Sequence, residues 1–207
     1  MARALPPANA TRVFINCPFD KAYKELFDAA VFTIHDLGFQ ARHALINVGS
    51  AIRLTRIADE LAQAMYSIHD ISRVEVSGAL KVPRFNMPFE AGFAYCLHEF
   101  HKRHVLLLDA KPYRYRASLS DVAGLDPKIH GNKPEQIVEN VREFLVSKSD
   151  QPKLPGGQFI WRRYVLFRKK LPLIAKADHK TMKEIRSWSY VNELQAMMAV
   201  WIQANPP

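Results

Sequence analysis

His104-Val-Leu-Leu-Leu-Asp109 is the clearest buried strand in the chain, because four consecutive apolar residues stand between two polar ones. The residues before it have the spacing of a helix that carries Glu90 and ends near His101. Before that helix, Met65-Tyr-Ser-Ile-His-Asp70 is predicted to be another short strand. The centre of the chain therefore predicts a strand, a helix and a second strand.

The same alternation extends toward the amino terminus. Strands are predicted at Arg12–Cys17 and Phe39–Ile46, and helices at Lys21–Leu37 and Ile52–Ala64. Alternating strands and helices are typical of α/β proteins, in which helices cover both faces of a mainly parallel sheet. In such sheets, ligands bind beyond the carboxyl ends of the strands, so polar residues at those ends are candidates for a site.

Toward the carboxyl terminus the pattern changes. The segment Lys111–Asn132 is predicted to be a long irregular loop, and Pro134–Val146 a helix. The proline- and glycine-rich segment Gln151–Gly157 is interpreted as a linker between an α/β domain at 1–150 and a helical extension at 151–207. Two helices are predicted in the extension, Phe159–Leu171 and Lys180–Ile202.

Composition limits the class of protein. The 207 residues suit one domain with an appendage, and the net charge of +9 is compatible with an anionic substrate, an acidic partner or nucleic acid. Two cysteines are too few for a disulfide framework, which favours a cytoplasmic location. No apolar run is long enough to span a membrane, and the first ten residues lack the apolar core of a secretory signal.

Glu90 is the leading candidate for a catalytic residue. It lies near the start of its predicted helix, in a stretch from Arg84 to Tyr95 that is otherwise nearly free of charge. Asn86 is a candidate N-cap, and the helix dipole favours an ionised carboxylate near a helix start. A carboxylate that faces a cleft can act as a nucleophile or stabilise a cation. The alternative is that acidic residues are simply common in first turns.

Two strand ends supply further candidates. The turn Asn16-Cys-Pro-Phe-Asp20 places an amide, an aromatic ring and a carboxylate just past the first strand. The alternative is a structural turn with Phe19 in the core. Asp70 ends the third strand and is followed by Ser72 and Arg73. Asp70 could bind ribose hydroxyls, or it could cap the following segment.

Several other kinds of site are disfavoured. The chain has neither the glycine-rich fingerprint of dinucleotide cofactors nor a P-loop, which argues against a redox dinucleotide cofactor and against a P-loop nucleotide triphosphatase. A nucleotide could still be a substrate. His98, His101 and His104 lack accompanying ligands, and no metal site is predicted. The basic helix at 159–171 is a candidate surface for a protein or nucleic-acid partner. The alternative is that this face of the helix is simply solvated. The candidate nucleic-acid contacts are Arg162, Arg163, Arg168, Lys169 and Lys170.

Three motifs together carry a family resemblance. In order and spacing, these motifs resemble those of the nucleoside 2-deoxyribosyltransferase-like proteins. The motifs are Val13–Asp20 with Ala22-Tyr23, Ser67–Asp70 and Met87–Ala94. That group neighbours the Toll/interleukin-receptor (TIR) domains and the bacterial defence effectors that cleave NAD. The resemblance covers roughly residues 12–110. It implies a doubly wound, flavodoxin-like or TIR-like sheet of about four to five strands.

The resemblance also implies a function. Glu90 matches the family's nucleophile, and Asp70 the residue that helps bind the sugar. The expected activity is cleavage of an N-glycosidic bond in a nucleotide, most of all NAD(P) hydrolysis, or a related hydrolase or transferase reaction on a nucleoside, in antiphage defence or as a toxin. A homo-oligomer is expected. The predicted substrate-binding residues are Asn16, Phe19, Asp20, Ser72, Arg73 and Asn86.

The chain also departs from that family. Its first turn has Asn16 and Cys17 where the family has Ala-Gly, and the helical extension has no counterpart in the transferases. A non-catalytic nucleotide-sensing or scaffold module, with the same cleft and a basic partner-binding surface, is therefore the alternative function.

Overall fold

The chain forms a five-stranded sheet in which every strand is parallel to its neighbours. The computed structural model describes residues 5–45, 52–73, 85–119, 124, 126–151 and 153–207. The strand order β2-β1-β3-β4-β5 is that of flavodoxin-like proteins, which confirms the predicted fold class. The strands are β1 (Asn9–Asn16), β2 (Gln40–His43), β3 (Ala64–Asp70), β4 (His104–Asp109) and β5 (Lys128–Ile129).

Helices follow each of the first four strands along the chain, and further helices follow the sheet. Among the helices of the described residues, none combines the length and apolar character that a membrane crossing requires. The helices are α1 (Lys24–Asp36), α2 (Arg53–Gln63), α3 (Asn86–His101), α4 (Tyr115–Ser118), α5 (Pro134–Lys148), α6 (Gly157–Ala177), α7 (Met182–Ile185) and α8 (Val191–Ala204).

Two compact units make up the chain. The first, here called the sheet unit, comprises Met1–Pro18 and Gln40–Asn132, and contains all five strands with α2, α3 and α4. The second, the helical unit, comprises Phe19–Phe39 and Lys133–Pro207. The predicted boundary near residue 150 does not coincide with this division and stays a prediction.

The core of the sheet unit lies between the sheet and two helices. Phe14 of β1 is fully buried in a cluster with Ile57 and Leu61 of α2 and Ala94 of α3. Burial of apolar side chains of this size contributes about 1.5–3 kcal/mol each. Helices α2 and α3 are thereby packed on β1 and β3, and α3 carries Glu90 with it.

The helical unit is built around aromatic rings. Phe32 of α1 has ring centroids 5.4 Å from Tyr164, 5.6 Å from Phe167 and 5.9 Å from Trp201. These rings join α1, α6 and α8. Large aromatic side chains bury large apolar areas, so this cluster stabilises the packing of the three helices.

Four predicted elements need correction. Helix α3 begins at Asn86 with Phe85 at the N-cap and no side-chain cap hydrogen bond, so the predicted N-cap role of Asn86 is wrong. The predicted loop at 111–132 contains α4 and the two-residue strand β5. Helix α6 continues to Ala177, through Pro172. The predicted helix at 180–202 is α7, a 3-10 helix (Trp188–Tyr190) and α8. Two residues of the predictions lie outside the described residues: Arg84, which begins the stretch that contains Glu90, and Ile46, which ends the predicted second strand.

Candidate functional site

The carboxyl edge of the sheet is lined by polar residues that end three strands. β1 ends at Asn16, β3 at Asp70 and β4 at Asp109, and all three side chains are buried. Because the strands are parallel, these ends lie on one edge, where ligands bind in α/β sheets.

Asn16 is oriented by a histidine on the neighbouring strand. Its register partner on β3 is His69, and Asn16 Nδ2 lies 3.2 Å from His69 Nδ1. Burial lowers the pKa of His69 to about 3, so the ring is neutral. A neutral ring that accepts at Nδ1 carries its proton on Nε2, and that atom has no hydrogen-bond partner among the described residues. The imidazole therefore fixes the direction of the Asn16 amide.

The Glu90 carboxyl is held at one oxygen and unengaged at the other. Glu90 is the fifth residue of α3 and only 4% exposed. Its Oε1 lies 3.4 Å from a terminal nitrogen of Arg53, and the Asn16 side chain donates a hydrogen bond to the carboxyl group. Within the described part of the chain, Oε2 has no hydrogen-bond partner. A buried carboxylate oxygen without a partner is costly to maintain unless a ligand or water occupies it.

The protonation of Glu90 is set by opposing effects. Burial raises the pKa of Glu90 above the ordinary value of 4.5, while the charge of Arg53 and the hydrogen bond from Asn16 act to lower it. Burial is the largest of these causes, so the net shift is upward. The position of Glu90 in α3 does little to lower its pKa. Glu90 lies beyond the first turn of α3, and the effect of the helix dipole falls off within one turn.

Replacing Asn16 with aspartate is expected to raise the pKa of Glu90 further, because a hydrogen-bond donor becomes a neighbouring negative charge. The carboxyl carbon shift of Glu90, followed against pH by NMR, measures this without any assay of activity. Asn192→Asp, on the exposed surface of α8, is the matched control and should leave the titration unchanged. An unchanged Glu90 titration in Asn16→Asp would contradict the contact between the two side chains.

Asp70 is engaged by protein groups at both oxygens. Oδ1 accepts hydrogen bonds from the Ser72 amide, at 2.8 Å, and from the Ser72 hydroxyl. Oδ2 lies 3.0 Å from His130 Nε2. His130 Nδ1 accepts a hydrogen bond from the Asn132 amide at 3.1 Å. Ser72 contacts the carboxylate rather than the imidazole, so these three residues are not a serine nucleophile activated by histidine.

A second polar cluster follows β4. Arg114 forms an ion pair with Asp109 and donates a hydrogen bond to the Ser72 carbonyl oxygen at 2.8 Å. The His130 amide donates to the Asp109 carbonyl at 3.0 Å. These contacts link the segments that follow β3, β4 and β5 at the carboxyl edge of the sheet.

The predicted site residues divide into groups. Glu90 and Asn16 contact each other, and Asp70 and Ser72 contact each other. Successive strand residues point to opposite faces, so Asp70 leaves β3 on the face opposite His69. Arg73 is partly buried directly after Ser72, and Asn86 is exposed at the first position of α3.

Phe19 and Asp20 belong to the helical unit. The Phe19 ring packs edge-on against Trp188 with centroids 5.0 Å apart. Asp20 Oδ1 accepts from the Tyr23 amide at 3.0 Å, and the Asp20 carbonyl accepts from Trp188 Nε1 at 3.2 Å. These contacts are those of the structural turn that the sequence left open as an alternative. A substrate-binding role for these two residues stays a prediction.

Three residues of this edge did not emerge from the sequence as site residues: His69, Arg114 and His130. His69 had one usable signal, because a polar residue near the carboxyl end of a buried strand points toward the edge. The other two lie in segments without a distinctive pattern, and only long-range contacts bring them to the site.

No metal site is evident in the described parts of the chain, where no group of three or more histidine, cysteine or acidic side chains could hold an ion. The site chemistry available is that of a buried carboxyl beside an arginine and an amide.

The chain matches no protein-family model and no curated protein sequence. Its fold and edge residues define it as a flavodoxin-like α/β protein with a buried glutamate at the carboxyl edge of the sheet. The resemblance to nucleoside 2-deoxyribosyltransferase-like proteins stays a prediction.

Proposed function

We propose that this protein cleaves the N-glycosidic bond of a nucleotide, with NAD or NADP as the preferred substrate and hydrolysis as the preferred reaction. The observation that carries the proposal is the Glu90 carboxyl, which is buried at the carboxyl edge with Oε2 unengaged by any described residue. A desolvated carboxylate with a free oxygen suits the stabilisation of a positive charge that develops on a sugar.

The chemistry needs little besides this carboxylate. The bond from C1 of the ribose to nicotinamide breaks with its electron pair, which neutralises the cationic ring, so the leaving group needs no proton. Glu90 Oε2 captures or stabilises the cationic C1. Water then forms the new C1–O bond, which displaces the Glu90 carboxylate where a covalent bond to it has formed, and releases a proton to solvent. Arg53 and Asn16 favour the ionised form of Glu90.

Asp70 is proposed to orient the sugar. Carboxylates accept hydrogen bonds from sugar hydroxyls, and Asp70 is buried at the end of β3, on the same edge of the sheet as Asn16. Because His69 and Asp70 face opposite sides of the sheet, a sugar that reaches both Glu90 and Asp70 has to lie across the ends of β1 and β3.

The test is product formation by the purified chain. NAD, NADP and a set of deoxynucleosides are incubated separately, and released nicotinamide or free base is measured by chromatography. Release of nicotinamide from NAD supports the hydrolase, while exchange of bases between deoxynucleosides supports a transferase. If neither product forms although nucleotides bind, the enzyme proposal is wrong.

That last outcome would favour the second candidate, a nucleotide-sensing module. It has structural support of its own, because Glu90 is already paired with Arg53, and Asp70 already accepts hydrogen bonds from Ser72. Binding by calorimetry with no product over hours is what this candidate predicts.

The pH profile of the hydrolase is expected to reflect Glu90. The reaction requires the ionised carboxylate, and burial raises the pKa of Glu90 above 4.5. Activity should therefore fall as pH decreases through that raised pKa, at a higher pH than for an ordinary glutamate. The dependence of kcat on pH measures it, and an acid limb at or below pH 4.5 would show that another group controls the rate.

The setting and partners belong to the same proposal. We propose a cytoplasmic enzyme of antiphage defence or a toxin, since the chain has only two cysteines and is expected to act on a common cellular nucleotide. The basic surface of α6 is narrower than predicted, because Arg163 is buried against Asp36 and Arg168 pairs with Glu25. The exposed Arg162, Lys169 and Lys170 remain for a protein or nucleic-acid partner.

A homo-oligomer is also proposed. Phe85, Phe89, Phe93 and Phe100 are exposed along and just before α3, at spacings that place them on one side of the helix. Exposed aromatic rows are typical of protein contacts. Sedimentation of the purified chain measures the association, and a monomer at high concentration would exclude it.

A further inference from the structure

The helical unit contains a cleft that the proposed function does not use. Its volume is about 750 Å³, and residues of α1, α6, α7 and α8 line it together with Trp188. This size is within the range of about 300–1,000 Å³ that small-molecule sites occupy. We call it the basic cleft for the charges described below.

The wall of the basic cleft is apolar and aromatic. Tyr164 and Phe167 are buried behind its surface, beside Leu194 and Met198. Trp188 is only partly buried, so its ring is the aromatic group of the lining that a ligand can reach. A flat apolar body that enters the cleft can thus contact the Trp188 ring in an offset or edge-on arrangement.

The acidic residues of the basic cleft are neutralised within the protein. Asp28 forms an ion pair with Lys24, with Asp28 Oδ1 2.5 Å from Lys24 Nζ. Glu25 forms an ion pair with Arg168. Each of the two carboxylates that line the cleft is therefore ion-paired with one cationic side chain that also lines it.

The remaining cations of the basic cleft have no such match. Lys21, Lys183 and Arg186 are exposed at its rim, and none of them forms an ion pair with a described residue. The lining as a whole has five cationic and two acidic side chains, an excess of three positive charges. An apolar interior below an unmatched cationic rim complements a ligand with an aromatic body and a negative group.

We propose that the basic cleft binds an aromatic organic anion, with the ring system inside against Trp188 and the negative group at Lys21, Lys183 and Arg186. Both parts of the ligand are required: the rings supply apolar burial, and the rim supplies charge-assisted hydrogen bonds. Inorganic anions lack the first contribution, and neutral arenes lack the second.

The test is calorimetric titration of the full chain with 2-naphthalenesulfonate, whose sulfonate stays ionised at every pH used. The comparison ligands are sulfate, which keeps only charge, 2-naphthol, which keeps only the rings, and octanesulfonate, which keeps charge with an aliphatic body. We expect 2-naphthalenesulfonate to bind at least about tenfold more tightly than each of the three, since loss of a 1.4 kcal/mol contact is a tenfold change. Equal binding of octanesulfonate would overturn the aromatic assignment, and absence of binding would overturn the site.

A pair of variants locates the binding. Lys183→Gln with Arg186→Gln removes two rim charges and should weaken 2-naphthalenesulfonate binding by about tenfold or more. Lys169→Gln with Lys170→Gln removes the same charge from exposed positions of α6 that do not line the cleft, and should leave binding unchanged. Equal weakening by both pairs would mean that net charge alone attracts the ligand, and would overturn the proposal.

Binding should also tighten as pH falls, because burial raises the pKa of Asp28 to about 6. The charged or titratable groups around Asp28 are Lys24 and Glu25 on its own helix and Tyr164 and Arg168 on α6. Protonation of Asp28 releases Lys24 from its ion pair and adds one positive charge to the cleft. We expect 2-naphthalenesulfonate to bind severalfold more tightly at pH 5 than at pH 7.5, and Asp28→Asn to remove this difference. A pH dependence that persists in Asp28→Asn would assign it to another group.

Discussion

Glu90→Gln is expected to lower the kcat for NAD hydrolysis by about 10³-fold, the upper range for loss of one preorganised electrostatic contact in an active site. Glutamine keeps the size of the side chain and can still bond to Asn16. It has no negative charge, so it can neither capture nor stabilise a cationic ribose. Single-turnover release of nicotinamide, measured with enzyme in excess, reports this step directly.

The fold of the Glu90→Gln protein is expected to be unchanged. The substitution removes a buried charge, and its partner Arg53 has a side chain 41% exposed that water can solvate. Glu99→Gln is the matched control, because Glu99 is exposed on the same helix and should retain full activity. Equal turnover by Glu90→Gln and the unmodified protein, with both folded by circular dichroism, would remove Glu90 from the mechanism.

The strands of the sheet could be predicted because they are short, apolar and regularly interrupted by helices. β4 was predicted at its observed bounds, since His104 and Asp109 bracket four apolar residues. β5 was missed because two residues have no periodicity of their own. It exists through its pairing with β4, where Leu108 lies opposite Lys128 and Asp109 opposite Ile129. Pairing between distant segments is not encoded locally.

The same reasoning explains what the sequence revealed of the site. Asn16, Asp70 and Asp109 could be placed at one edge because the carboxyl ends of parallel strands coincide. Arg53 and His130 come from the start of a helix and the end of a two-residue strand, and only tertiary contacts bring them to Glu90 and Asp70. The direction of the Glu90 pKa shift was unpredictable for the same reason, because burial outweighs the opposing effects.

Two helix boundaries differ from those that the apolar spacing predicted. The spacing from 180 to 202 predicted one helix, and the capping box of Thr181 and Glu184 lies at its start, but α7 ends at Ile185 and α8 begins only at Val191. Helix α6 was predicted to end at Leu171, yet it continues to Ala177 with Pro172 on its exposed surface. Apolar spacing alone therefore located these helices without fixing where they end.

Arg163→Gln is expected to destabilise the protein by about 3–5 kcal/mol, the usual effect of removing one partner of a buried ion pair. Arg163 Nε lies 3.0 Å from both carboxyl oxygens of Asp36, and a terminal nitrogen lies 2.9 Å from Oδ1. The Arg163 guanidinium also lies 5.4 Å from the centre of the Trp201 ring. Without the arginine, the Asp36 carboxylate stays buried with no opposite charge from this partner. Chemical denaturation measures the change in the free energy of unfolding.

Two controls separate the ion pair from a general effect of charge. Arg162→Gln, at the exposed neighbouring position of α6, should change stability by less than about 0.5 kcal/mol. The double variant Asp36→Leu with Arg163→Met replaces the pair with apolar groups, and should recover most of the loss. If the double variant is as unstable as Arg163→Gln alone, the loss comes from packing around Trp201 rather than from the unpaired carboxylate.

The destabilisation by Arg163→Gln should also depend on pH in a direction that follows from Asp36. Burial raises the pKa of Asp36 even with Arg163 present, and the arginine opposes that rise. Removing the arginine therefore raises the folded-state pKa further, while the pKa in the unfolded chain stays near 3.8. A raised folded-state pKa means that the penalty is present at high pH and is relieved as pH falls through that value. The stability difference between the two proteins should thus shrink on acidification, and a difference that grows instead would contradict the assignment of Asp36 as the buried charge.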